Sequence, residues 1–358
     1  VGVFEAIASE THEEVLFGND PESGLQAIIA IHSTTLGPAL GGTRFFPYRR
    51  EPDALRDVLR LSRGMTYKSA AAGLDLGGGK AVIIGDPAEI KGERLLRAFG
   101  RVVDSLGGRY VTAEDVGTTV ADMITIARET RWVTGLPESH GGSGDPSPAT
   151  ARGVLGAMRA VSERLWHSDD LSNLTVAVQG VGKVGADLVA RLTKAGATTV
   201  VADVDDAAAV EMERTHGSAR VAPNDIFDVA CDIFAPCAMG GAINRDTAAR
   251  LRCRAVVGSA NNQLETAAEA ATLAQRGILY TPDFVVNAGG IINIAEELNG
   301  YDWTRAVNAI DRIYDNVNRV LDAADERGID PNAAAIEVAR ERIRAIGSIN
   351  ARRRGHAS

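Results

Sequence analysis

The sequence predicts an α/β protein of two domains, the second built on a doubly wound parallel sheet. Three observations carry this. The chain has 358 residues, more than one ordinary domain needs. Short apolar runs alternate with helical patterns through the second half, as parallel strands joined by crossover helices require. Between the halves lies HGGSGDPSPAT, residues 140–150, the most turn-rich stretch of the chain.

In the first half the expected elements are a strand at LQAIIAIHS, a helix near 52–64, a strand at AVIIGD, a helix near 92–106 and a strand at RYVTAED. A helix is expected from Ala151. LTVAVQG (174–180) reads as a buried strand, Lys183 to Lys194 as a helix and Ala197 to Ala202 as a second strand; CDIFAPC, AVVGSA and ILYTPDFV follow as short strands. Trp303, Val307, Ile310, Ile313, Val317, Val320 and Ala324 recur at three- and four-residue intervals and predict one amphipathic helix, with another from Pro331. The expected domains are 1–148 for substrate binding, catalysis and oligomerisation and 149–325 for a dinucleotide, with a helical segment, 326–358, packing back on the first domain.

Apolar residues make up 45% of the chain and charged residues 24%, the balance of an ordinary globular protein. A net charge of −9 argues against a nucleic-acid surface or an anionic membrane as partner. No apolar run near the start is long enough for a signal or membrane segment, so the expected location is cytoplasmic. The cluster Arg352-Arg353-Arg354 reads as a solvated tail. Cys231, Cys237 and Cys253 lack CxxC spacing and the histidines form no HxxxH or HxH pair, so neither a disulfide framework nor a metal site is expected.

QGVGKVGADLVARL contains Gly180-x-Gly182-x-x-Gly185 directly after a strand and at the opening of a helix. Gly180 permits the tight turn, Gly182 lets the backbone approach a pyrophosphate, and Gly185 lets helix and strand pack closely. Asp203 ends the next strand, where it can accept the adenosine ribose hydroxyls. Its charge, with Asp205 and Asp206 beside it, would repel a 2′-phosphate. NAD is therefore the expected cofactor.

Only five of the 38 basic residues are lysine, and two of them fall in YKSAAAGLDLGGGKAVIIGD, residues 67–86. GGGK is not a phosphate-binding loop, because Leu74 and Ala81 stand where that motif needs Gly and Ser or Thr, and a strand follows. Lysine loses its proton when desolvated, whereas arginine does not. Lys80, between three glycines and AVII, is thus a candidate general base, with Lys68 as the expected neighbouring cation that lowers its pKa. TAEDVGTT (112–119) supplies the carboxylate Asp115 at a strand's carboxyl end, where open α/β sheets bind ligands.

These stretches, with GPALGGTRF (37–45), SGDPSPATARGV (143–154) and VVNAGGIIN (285–293), resemble the amino-acid dehydrogenase family of glutamate, leucine, valine and phenylalanine dehydrogenases. Within it, the chain looks closest to the phenylalanine enzymes. The resemblance implies that Lys68 binds the substrate α-carboxylate, Lys80 activates water against the imino carbon, and Asp115 exchanges a proton with the amino group. It implies that Gly41 and Gly42 leave N–H groups free near that carboxylate, in what reads as a loop, and that Met65 lies by the substrate. On the cofactor side it adds Lys183, Val184, Ala238 and Ala260. Thr150, Asn262 and Asn287 are expected around the nicotinamide end and the substrate, and Arg44 at the cofactor phosphates.

Where glutamate enzymes of the family carry a lysine for the side-chain carboxylate, this chain has Leu40. A carboxylate buried there would lack its partner, at a cost of several kcal/mol. With Ala113, Ile291 and Ile294 nearby by family position, the pocket reads as apolar. The expected reaction is the reversible, NAD-dependent oxidative deamination of an apolar L-amino acid, phenylalanine first and leucine or valine as alternatives, to its 2-oxo acid and ammonia. It is expected in a homo-oligomer whose interdomain cleft closes to exclude water. A 2-hydroxy-acid dehydrogenase would want an imidazole acid–base, and His32 and His140 sit in no catalytic-looking motif. A non-enzymatic NAD sensor would have no use for Lys68, Lys80 and Asp115 together.

Overall fold

The computed structural model describes residues 3–355, with side chains from 3 to 349. The side chains of the Arg352–Arg354 cluster therefore lie outside the described ones. The chain divides into two compact units, one of Val1–Asp145, Ile294–Asp302 and Ala339–Ser358, the other of Pro146–Asn293 and Trp303–Val338. The return to the first unit, expected at 326, falls at Ala339 in this division.

The first unit holds a five-stranded sheet of β1 (Glu14–Asp20), β2 (Leu25–Ser33), β3 (Ala39–Phe46), β4 (Gly77–Ile84) and β5 (Tyr110–Glu114). Their order is β1-β2-β4-β3-β5; β1 and β2 pair antiparallel, as do β2 and β4, while β3 runs parallel to β4 and β5. Side chains alternate across the strands, so each face collects its own apolar set. Ile28, Ala30 and Val82 meet Ala54, Leu55, Val58 and Leu59 of the helix Glu51–Ala71. Ala27, Ile29, Ile31, Ala81 and Ile83 meet Leu95, Leu96, Phe99 and Val103 of the helix Glu93–Ser105.

Two readings are corrected here. GPALGGTRF is not a loop: it forms β3, between β4 and β5 in the sheet. Its glycines mark close strand packing rather than a turn, since a Cβ at Gly41 would lie 1.8 Å from the Gly79 carbonyl oxygen. Likewise β4 begins at Gly77, not at AVIIGD, because the triple glycine admits a neighbour on either side. A Cβ at Gly78 would stand 2.0 Å from the Thr66 backbone nitrogen, so the helix Glu51–Ala71 lies directly on the strand.

The second unit is a six-stranded, wholly parallel sheet of β6 (Thr175–Gln179), β7 (Thr198–Ala202), β8 (Ala219–Arg220), β9 (Ile233–Pro236), β10 (Ala255–Val256) and β11 (Leu279–Tyr280). The order β11-β10-β9-β6-β7-β8 reverses direction between β6 and β9, which is the doubly wound Rossmann arrangement with its ligand crevice at that switch point. The crossover helix Lys183–Lys194 buries Leu188, Val189 and Leu192.

The helix expected at Ala151 starts at Ser147, with proline in its first turn. ILYTPDFV is strand only to Tyr280: Pro282 has no N–H for a ladder, and Asp283–Val286 is helical. The single helix expected over 303–324 is two, Trp303–Asp311 and Ile313–Arg327. Among the described residues no helix is long and apolar enough to cross a membrane.

Candidate active site

Lys80 sits mid-strand on β4, 6% exposed, with a register partner in Ala30 of β2. An unpaired ammonium there would be costly. Its partner is Asp115, one residue beyond β5, whose Oδ2 lies 2.8 Å from Lys80 Nζ. The Asp115 backbone N–H donates to Thr118 Oγ1 at 2.9 Å, and that hydroxyl lies 2.9 Å from the Thr43 carbonyl oxygen, which ties the turn back to β3. Arg44, on β3, donates from Nε to the same Asp115 oxygen at 3.1 Å and from Nη1 to Asp57 Oδ2 at 2.8 Å. Asp57 also accepts from the Tyr48 hydroxyl at 2.6 Å and from Arg60 Nη2 at 2.9 Å. Lys80, Asp115, Arg44, Asp57 and Arg60 thus form one chain of alternating charge.

Burial drives the Lys80 pKa below the ordinary lysine range; Asp115 opposes that shift, and the largest contribution from a cation that favours it is Arg44's. Burial alone would raise the Asp115 pKa, but Lys80 and then Arg44 outweigh it and hold the carboxyl below its usual value. Arg44 was expected at the cofactor phosphates; its Nε and Nη1 are engaged by Asp115 and Asp57.

Leu40 registers with Gly78 and Val111, and Gly42 with Ala113. Residues in register share a face, and Lys80 is two residues past Gly78, so Leu40, Gly42 and Ala113 line the face from which Lys80 projects. Leu40 is fully buried and Ala113 is 4% exposed, which makes that face apolar around the amine. Because Thr66 lies on Gly78, the helical turn carrying half-buried Met65 and Lys68 lies over the same strand. The Gly41 carbonyl accepts from the Tyr110 hydroxyl at 2.6 Å, and both glycines register with β5, so they serve strand packing as well as any ligand. Ile291 is buried and Ile294 half-buried, three residues apart on the helix Gly289–Ala295, and they fall in different units.

In the second unit Gly180 follows β6 with φ 91°, and a Cβ there would stand 2.7 Å from that of Ala238, in the segment after β9. The two loops at the switch point therefore abut. A Cβ at Gly185 would fall 2.0 Å from the Gly180 carbonyl oxygen, whereas one at Gly182, the cap of the helix Lys183–Lys194, would meet nothing within 4 Å. That open space at a helix N-terminus, next to half-buried Val184 and the first helical residue Lys183, fits a pyrophosphate.

Asp203 stands at the end of β7, its Oδ2 accepting from the Val181 N–H at 2.7 Å. Its carboxylate is thereby fixed beside the loop, as a ribose acceptor should be. Asp205, expected to face the cofactor, caps the helix Asp206–His216 by accepting from the Ala207 N–H. Thr150 Oγ1 bonds to the Pro146 carbonyl at 3.0 Å and lies 2.9 Å from where a Cβ on Gly290 would be. Asn287, 5% exposed, donates from Nδ2 to the Ser259 carbonyl and to Asn261 Oδ1. Asn262 holds φ 51°, and Ala260 is buried.

Sequence reading missed Asp57, Tyr48 and Thr118. Asp57 lies eleven positions before Lys68, three helical turns on one face, but that signal has meaning only once β3 is known to be a strand.

The model of the Glu/Leu/Phe/Val dehydrogenase dimerisation domain matches residues 12–132, and the Glutamate/Leucine/Phenylalanine/Valine dehydrogenase model matches 141–215 and 202–348. A leucine dehydrogenase of Geobacillus stearothermophilus is 52% identical over 341 residues, 95% of this chain and 93% of that protein. A valine dehydrogenase of Streptomyces coelicolor is 53% identical over 335 residues, 93% of this chain and 92% of that protein. The crystal structure of L-tryptophan dehydrogenase from Nostoc punctiforme superposes with a TM-score of 0.88 at 44% identity, covering 96% of this chain and 99% of that one. A buried lysine–aspartate pair in one unit, a dinucleotide fold in the other and likeness along almost the whole chain lead to one conclusion: the chain belongs to the glutamate/leucine/phenylalanine/valine dehydrogenase family and is an NAD-dependent amino-acid dehydrogenase.

Proposed function

We propose that the substrate is a branched aliphatic L-amino acid, leucine or valine, oxidatively deaminated to its 2-oxo acid and ammonia. The observation that carries the chemistry is the buried Lys80–Asp115 pair at 2.8 Å. For the substrate, the support is the fully buried Leu40 on the Lys80 face, together with the leucine and valine dehydrogenases at 52% and 53% identity. Phenylalanine, preferred on overall resemblance while the motifs leave the three unseparated, has less support. An aromatic substrate remains the second reading, on the strength of the tryptophan dehydrogenase at 44%.

When bound, NAD supplies the nicotinamide that takes the hydride from the substrate Cα. Gly180, Gly182 and Gly185 with the helix N-terminus would hold its pyrophosphate and Asp203 its ribose, with Thr150 and Asn287 toward the nicotinamide end. Lys68 holds the substrate α-carboxylate as a permanent cation. Asp115 takes the proton that the amino group must lose before the Cα–N bond becomes an imine. Lys80, as the neutral amine, takes a proton from water as the oxygen adds to the imine carbon. Asp115 returns a proton to nitrogen, and as the carbonyl forms the hydroxyl proton goes to the departing nitrogen, which leaves as ammonium, while Lys80 gives up the proton taken from water to solvent. The matched dimerisation-domain model also supports a homo-oligomer.

The test is NAD reduction with leucine, valine, phenylalanine, tyrosine and glutamate. Leucine or valine is expected to exceed phenylalanine at least tenfold in kcat/KM, and phenylalanine as best substrate would overturn the aliphatic reading. Lys80→Ala is expected to lower kcat by about 10²–10⁴; turnover at the wild-type rate would remove Lys80 from the mechanism.

A further inference from the structure

A base must part with its proton, yet Lys80 is held against a carboxylate in a buried site, which favours the ammonium. The geometry offers a resolution. Asp115 Oδ2 is shared: Lys80 Nζ lies at 2.8 Å and Arg44 Nε at 3.1 Å from the same oxygen. A guanidinium keeps its charge throughout the working pH range, so Arg44 is a permanent competitor for that oxygen.

Its long side chain is anchored at the far end by Asp57, which bonds Arg44 Nη1 at 2.8 Å and is itself fixed by Tyr48 and Arg60 at 2.6 and 2.9 Å. The Arg44–Asp57 bridge joins side chains that are 23% and 17% exposed, so it is screened less than a surface pair.

We infer that Arg44, anchored by Asp57, is a positioning residue for the reaction: it takes up part of the Asp115 charge and so loosens that carboxylate's hold on the Lys80 ammonium. The inference rests on Lys80 being the base. The charged groups around Lys80 come from three elements: Asp115 after β5, Arg44 on β3, and Asp57 with Lys68 further along the helix Glu51–Ala71; Tyr48 and Arg60 stand behind Asp57. Among them Asp115 and Asp57 favour the protonated amine, and Arg44 disfavours it. Arg44 and Asp57 therefore act on Lys80 with opposite sign.

The experiment is the pH dependence of kcat/KM for oxidative deamination, read as the midpoint of the ascending limb. Arg44→Gln is expected to move it upward by about one pH unit, since an amine next to Asp115 alone keeps its proton longer. Arg44→Lys, which retains a cation, is expected to move it by less than half as much. The double variant Arg44→Gln/Asp57→Asn is expected to bring the midpoint back toward wild type. It also leaves no buried carboxylate without its cation, so it remains informative if the single variant folds poorly.

A limb unmoved in Arg44→Gln, one displaced as far in Arg44→Lys, or a double variant displaced as far as the single would each overturn the inference. If instead Lys80→Ala keeps full activity, the base assignment fails, and that outcome is separate from the other three.

Discussion

The two halves of the machinery are made by opposite means. In the first unit function comes from side chains that are costly to bury, a lysine, two aspartates and an arginine, each tolerable only because the next one neutralises it. In the second it comes from side chains that are missing: Gly180 and Gly185 let the loop pack tightly, and Gly182 leaves the helix N-terminus open to an anion. The contrast has a consequence for how each half fails. Charges on a sheet face and the strands beneath them stand or fall together. A glycine loop can lose its ligand and keep its fold.

The largest expected effect tests the first half of that contrast. A methyl group at Gly41 would overlap the Gly79 carbonyl oxygen at 1.8 Å, and that oxygen belongs to the strand that positions Lys80. The backbone has no rotamer with which to yield. Gly41→Ala is expected to destabilise the first unit by more than about 3 kcal/mol and to lower activity with it. Urea denaturation with a wild-type midpoint would show that β3 and β4 can part without consequence.

What the sequence disclosed follows the same division. The GxGxxG loop was legible to the residue, because its chemistry is local: strand, turn, helix and acid follow each other along the chain. Lys80 and Asp115 were legible as residues but their surroundings were not, because these depend on register between strands far apart in sequence. β3 was taken for a loop, since glycines and a proline mark turns as readily as they mark strands pressed against neighbours. With β3 misread, Arg44 had no reason to face Asp115, and Asp57 was an unremarked acid on a helix. Asp205 shows the converse ambiguity: a helix cap and an acid that faces a cofactor draw on the same residue types at the same place.

The next prediction separates the units by pH. In the first unit His12 and His32 are 8% and 7% exposed, with ring centroids 4.9 Å apart. His12 Nε2 lies 2.8 Å from Ser62 Oγ and His32 Nδ1 2.8 Å from Thr66 Oγ1, both on the helix that carries Lys68. Burial, then the neighbouring His12, lowers the His32 pKa from 6.5 to about 4.

The folded protein thus binds fewer protons than the unfolded chain between those values. Stability is fully present above about pH 6.5, falls as pH drops through the window, and levels off below about 4. The full window corresponds to about 3 kcal/mol. His32→Gln is expected to flatten that part of the stability curve measured by urea denaturation from pH 7 to 4. An unchanged slope would mean that the imidazole is protonated in the folded state.

The smallest effect on folding, and the most selective on function, lies in the glycine loop. Gly180 and Gly182 look alike in the motif and differ in the structure. Gly180 has φ 91° and faces Ala238, so Gly180→Ala combines backbone strain with overlap and is expected to cost about 2 kcal/mol of stability. Gly182 has φ −64° and an added Cβ meets no atom within 4 Å, so Gly182→Ala is expected to unfold at the wild-type temperature.

The space that methyl would enter is where the pyrophosphate must come, and the NAD dissociation constant is expected to rise about tenfold or more, as a loss of roughly 1.4 kcal/mol implies. The two variants together dissect one motif into a glycine the fold requires and a glycine the ligand requires. If Gly182→Ala binds NAD as tightly as wild type, the emptiness beside it is incidental, and the second unit recognises its cofactor by contacts other than backbone approach.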